Sequence, residues 1–115
     1  KWYILADMLE LGSDSEYSHR ELGSLLTSSN ADGVFLLGQE MSYAYEELRN
    51  NSKPCVFYNS GKRQSDYEEF EKLVCSNIHS GDLLLIKGSR GMKLERITEK
   101  LKALYPLHDD KGVRS

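Results

Sequence analysis

The sequence predicts an α/β domain: a mostly parallel sheet with helices on both faces, three layers deep. Two observations carry that expectation. Short apolar runs of strand length alternate four times with stretches of helical apolar spacing. The runs Val34–Leu37 and Leu83–Ile86 are apolar at every position, as strands buried on both faces are in a parallel sheet.

In chain order, Trp2–Ala6 reads as the first strand, ending at Asp7, and the stretch from Met8 to Ser15 as a loop. Ser18-His-Arg-Glu21 has the form of a capping box, so a helix is expected to start there and bury Leu22, Leu25 and Leu26. The turn Asn30-Ala-Asp-Gly33 precedes the second strand, Val34–Leu37, which Gly38 closes. Met41, Ala44, Tyr45 and Leu48 recur at i, i+3, i+4 and i+7, the spacing of an amphipathic helix. Cys55–Tyr58 is the third strand. Ser65-Asp-Tyr-Glu68 has a second capping-box form, and Tyr67, Phe70, Leu73 and Val74 make the next helical stripe. The fourth strand is Leu83–Ile86, followed by a helix through Leu94, Ile97, Leu101 and Leu104 that stops before Pro106. Residues 107–115 are polar and read as a flexible tail. There is no internal repeat or linker, so residues 1–106 read as one domain.

Right-handed crossovers place the carboxyl ends of all four strands on one edge. Asp7, Gly38, Asn59 and the cluster Lys87-Gly88-Ser89-Arg90-Gly91 all fall there. Ligands of open α/β sheets bind outside that edge. A turn with two cations and two glycines at the start of a helix suits an anion or a carboxylate, because free N–H groups and the helix dipole favour negative charge. An incidental tight turn is the alternative. Asp7 either caps the loop or pairs with Lys87, and Glu10 is either a site residue or a solvated one.

The 115 residues are 39% hydrophobic and 29% charged, ordinary for a globular domain. Net charge is −3 but uneven, −7 over residues 1–85 and +4 over residues 86–115. A pI near 5.6, with no basic stripe interleaved with aromatics, argues against nucleic acid. No apolar run approaches the roughly 20 residues of a membrane span, and no signal peptide opens the chain. Cys55 and Cys75 are expected to be buried free thiols of a reducing cytoplasm, ahead of a disulfide or metal site. The spacing Gly88-Ser-Arg-Gly91-Met92-Lys93 is not that of a P-loop, and no G-x-G-x-x-G follows the first strand. No nucleophile–base pair is legible. His19 is more readily structural or exposed than catalytic, and no metal pattern surrounds His79 or His108.

Three segments in order carry a family resemblance: Ala6-Asp-Met-Leu-Glu-Leu-Gly12, Ser18-His-Arg-Glu-Leu-Gly23, and Gly81-Asp-Leu-Leu-Leu-Ile-Lys-Gly-Ser-Arg-Gly-Met92 with Leu94-Glu95. Together they resemble the C-terminal, Rossmann-like domain of the Mur ligases, within them the group that joins D-alanyl-D-alanine to UDP-N-acetylmuramoyl-tripeptide. The resemblance implies a bacterial, cytoplasmic step of peptidoglycan precursor synthesis. ATP and Mg²⁺, bound mainly by a central domain absent from this chain, would activate the tripeptide carboxylate as an acyl phosphate for attack by the dipeptide amine. It implies that Lys87, Gly88, Ser89, Arg90, Gly91, Asp7 and Glu10 contact substrate, with no catalytic or metal-binding residue in this piece alone. The family pattern departs at Ala6, where glycine is usual, and in a preceding strand and helix that this chain lacks. That implies a fragment, inactive by itself, with a sheet edge open to self-association. A different class of function, a stand-alone module that binds a small anion without catalysis, stays open on the residues alone.

Overall fold

The computed structural model describes residues 1–8, 12–79, 81–88, 94–104 and 113–114. Its elements are β1 (Trp2–Ala6), a 3₁₀ turn (Gly12–Asp14), α1 (Ser15–Thr27), β2 (Gly33–Leu37), α2 (Met41–Asn50), β3 (Val56–Asn59), α3 (Gln64–Asn77), β4 (Leu84–Lys87), α4 (Glu95–Leu104) and β5 (Val113–Arg114). The strands form one parallel sheet in the order β3-β2-β1-β4-β5. The two-residue β5 adds a fifth strand that apolar periodicity does not reveal. The rest of the expected tail, residues 107–112 and 115, lies outside the described residues.

Alternation along the strands divides the core between two layers. Ile4, Ala6, Phe35, Leu37, Leu84 and Ile86 face α3 and α4, where Phe70, Val74, Ile97 and Leu101 cover them. Leu5, Val34 and Leu36 face the other way, toward Leu26, Met41, Ala44 and Leu48 of α1 and α2. Phe35 centres the first layer. Its ring stacks on Trp2 at 5.2 Å and Phe57 at 5.1 Å, and meets Phe70 edge-on at 6.2 Å. Across α3 and α4, the Glu71 carboxylate pairs with Lys100 at 3.0 Å.

Several local expectations are corrected. Neither Ser-x-x-Glu pattern caps its helix. α1 begins at Ser15, so Ser18 lies inside it, and Leu25 is exposed rather than inward. The inner face of α1 is Ser15, His19, Gly23 and Leu26. At α3 the start is held by Asp66, whose carboxylate accepts the Arg63 backbone N–H at 3.2 Å. Cys55 is exposed, with a positive φ of 55°, and precedes β3 instead of opening it. Cys75 is half-buried, and both thiols are free.

Gly23 explains how α1 and α2 cross so closely. A Cβ at this position would lie 2.7 Å from the Ala44 carbonyl oxygen. Arg20 straps the same pair from outside, bonding Glu16 of α1 at 2.9 Å and Glu46 and Glu47 of α2 at 3.1 and 3.3 Å. Its guanidinium also lies over the Tyr43 ring. The Glu16 hydrogen bond is the largest influence raising its pKa.

Candidate functional site at the carboxyl edge of the sheet

The strands end together. Ala6 is in register with Leu37, Leu37 with Asn59, and Leu5 with Lys87. From β1 the chain passes to β2 and β3 on one flank, then crosses back to β4 on the other. The helices of the two halves lie on opposite faces, so a crevice opens between the ends of β1 and β4. A cavity of about 660 Å³ occupies it. Leu5, Leu22, Met41, Ile86 and Leu94 supply apolar walls, and Met8 lies beside them. Lys87, Glu95, Thr98 and Glu99 bring polar groups of both charge signs to the same space.

Lys87 and Gly88 thus stand on the carboxyl edge, where the sequence places them, and the pairing of β4 with β1 sets them beside the end of β1. Lys87 is exposed, and close packing accounts for Gly88, since a Cβ there would lie 2.8 Å from the Ala6 Cβ. Ser89, Arg90, Gly91 and Glu10 lie outside the described residues.

Asp7 is at the same edge but faces inward. It is 4% exposed, and its Oδ1 and Oδ2 accept the backbone N–H groups of Met41 at 2.8 Å and Glu40 at 3.1 Å. The carboxylate therefore caps α2, whose own N-cap residue offers no side-chain bond. Of the two structural alternatives, capping rather than pairing with Lys87 is realised. Gly38 makes the approach possible: its φ is +125°, and a Cβ there would lie 2.2 Å from Asp7 Oδ1. Burial, with the Asp7 charge second, pushes the Tyr58 phenol above its ordinary pKa.

His19 is fully buried in α1. Its Nδ1 lies 2.7 Å from the Ser15 carbonyl oxygen, which can only accept, so Nδ1 carries the hydrogen. Nε2 is then free to accept the Met8 N–H at 3.3 Å. The ring is a neutral brace with no role as an exposed acid or base.

Residues 1–90 match the family model described as Mur ligase, glutamate ligase domain. The chain belongs to the Mur ligase family. Among curated proteins it is 36% identical over 102 residues to a Bacillus subtilis (strain 168) protein named UDP-N-acetylmuramoyl-tripeptide–D-alanyl-D-alanine ligase, covering 88% of this chain and 21% of that protein. A Rickettsia prowazekii (strain Madrid E) protein of the same name is 33% identical over 99 residues, covering 86% of this chain and 20% of its own. The chain thus spans about a fifth of the length of the curated relatives it matches. No solved structure matches it.

The acidic wall of this Mur ligase domain's cavity escaped the sequence reading. Glu95, Thr98 and Glu99 are spaced i, i+3 and i+4 along α4. That spacing puts them on one stripe beside Leu94, a signal that was available once α4 was placed after the Lys87 turn.

Proposed function

We propose that this chain is the substrate-closing domain of an ATP-dependent ligase that adds D-alanyl-D-alanine to UDP-N-acetylmuramoyl-tripeptide in the bacterial cytoplasm. The observation that carries the reading is the switch-point cavity with Lys87 and Gly88 at its rim, in a Mur ligase chain whose curated relatives bear that name. A dipeptide brings one carboxylate, one amine and two methyl groups. Lys87, together with Arg90, supplies cations for the carboxylate. Glu95 and Glu99 offer negative charge to the amine, and the Leu22–Met41 wall suits methyl groups.

ATP and Mg²⁺ belong, on this proposal, mainly to parts of the ligase outside this chain. Among the described residues no group of three or more His, Cys, Asp or Glu side chains is placed to hold a metal ion. Among the same residues no helix is long and apolar enough to cross a membrane. Glu10, Ser89 and Gly91 stay in the proposed contact surface as neighbours of these groups in sequence. Asp7 joins that surface through its hold on the start of α2, where Met41 lines the cavity.

The test is kinetic, in the complete ligase. Lys87→Ala and Arg90→Ala are each expected to raise the KM for D-alanyl-D-alanine about tenfold, as loss of one charge-assisted hydrogen bond does, with the KM for ATP unchanged. An unaltered dipeptide KM in both variants removes the cationic turn from the role.

A further inference from the structure

Met8 forms part of the cavity wall and lies past the end of β1 at Ala6. On the β2 side of this chain segment, the Asp7 N–H still bonds the Leu37 carbonyl, at 3.2 Å. Past that point the Met8 N–H takes its acceptor, among the described residues, from another element. His19 Nε2 provides it, from a ring fully buried in α1.

We propose that His19 is a positioning residue for the substrate cavity: in its Nδ1–H form it fixes the Met8 amide, and through it the wall Met8 presents. The inference deepens the function proposed above and rests on it for the identity of the ligand. Asp7 and Met8 are tied by neighbouring bonds to different helices, Asp7 to the start of α2 and Met8 to α1. The ring is itself locked at Nδ1 by the Ser15 carbonyl, with the Ser15 hydroxyl at 3.2 Å. Both nitrogens are used, each in one role, so the ring has one orientation and one tautomer. An apolar residue would fill the space and leave the Met8 N–H without its acceptor.

Two substitutions separate this bond from simple packing. The His19→Asn amide reaches the place of Nδ1 but falls short of Nε2; the longer His19→Gln side chain brings a carbonyl oxygen to Nε2's place. In the complete ligase, His19→Asn is expected to raise the KM for D-alanyl-D-alanine about fivefold with the KM for ATP unchanged, as loss of one ordinary hydrogen bond predicts. His19→Gln is expected to return it to within about twofold of the parent. A parental dipeptide KM in His19→Asn, or equal damage in both variants, overturns the proposal. The ¹⁵N spectrum of the imidazole in the unsubstituted ligase gives a second measurement that survives poor folding of either variant. A protonated Nδ1 with a bare Nε2 supports the proposal, and the reverse tautomer or an imidazolium at neutral pH overturns it. A ligase that does not accept D-alanyl-D-alanine sinks the functional reading instead. His19 is then judged by exchange of the Met8 amide, protected in the parent and in His19→Gln and released in His19→Asn.

Discussion

The two helical layers are held to the sheet by different physics. The α3/α4 layer is apolar and aromatic, centred on Phe35 against Trp2, Phe57 and Phe70. The α1/α2 layer also has an apolar core, but its placement is set by polar and steric devices: the Asp7 cap, the His19 brace, the Arg20 strap and the contact at Gly23. Dispersion and burial tolerate small shifts, whereas a hydrogen bond to a buried group does not. The directional layer is the one that holds Asp7 and Met8, the residues that follow β1 at the cavity. Directional contacts are thus concentrated beside the cavity.

The contrast can be broken from either side. The largest effect is expected at the apolar layer, where Phe35→Ala should cost about 3–5 kcal/mol of unfolding free energy, read from denaturant midpoints. A loss below about 1 kcal/mol would mean that the aromatic stack is not the anchor of that layer. Next comes Asp7→Ala, which strips the N–H groups of Glu40 and Met41, at the start of α2, of their acceptor and should cost about 2–3 kcal/mol. Asp7→Asn, which keeps one carbonyl oxygen, should recover part of it. Equal stability of Asp7→Ala and the parent would leave the remote cap without energetic weight.

The smallest effect sharpens the comparison between the two helix starts. Asp66 caps α3 from within its own first turn, and the Arg63 hydrogen bond, its leading influence, lowers its carboxyl pKa. A lowered folded pKa means that the contribution is complete above the ordinary carboxylate range, roughly pH 4, and is lost as pH falls through the folded value. Stability measured from pH 5 down to pH 2 should therefore fall less steeply in Asp66→Asn than in the parent. Identical slopes would show that this local cap does not couple to protons.

These contrasts also decide what could be read in advance. The four alternating strands, the parallel sheet and its carboxyl edge follow from apolar runs and crossover handedness, so Lys87 and Gly88 could be placed on the same edge as Asp7; that β4 lies directly beside β1 could not. The inner face of α1 could not be read either, because Ser15, His19 and Gly23 are buried through hydrogen bonds and closeness rather than hydrophobicity. Leu22, Leu25 and Leu26 look like its apolar stripe, yet Leu25 is 64% exposed. The α2 cap was hidden for a related reason: the acceptor lies more than 30 residues before the helix, so no local motif encodes it. Strand propensity takes no account of the positive φ that sets Cys55, next to Pro54, outside β3.

The place of β1 in the sheet has a consequence for how the chain reaches this state. It lies in the middle, with β2 beside it after a short interval, but its other neighbour begins only at Leu84. A ribosome moving from the amino end therefore releases β1 and β2 well before β4 exists. Until then one flank of the innermost strand presents unpaired amides and carbonyls to whatever else is in solution. Closure of that long loop should limit the speed of folding, and holding β4 back, more than weakening any helix, should divert newly made chains into aggregates.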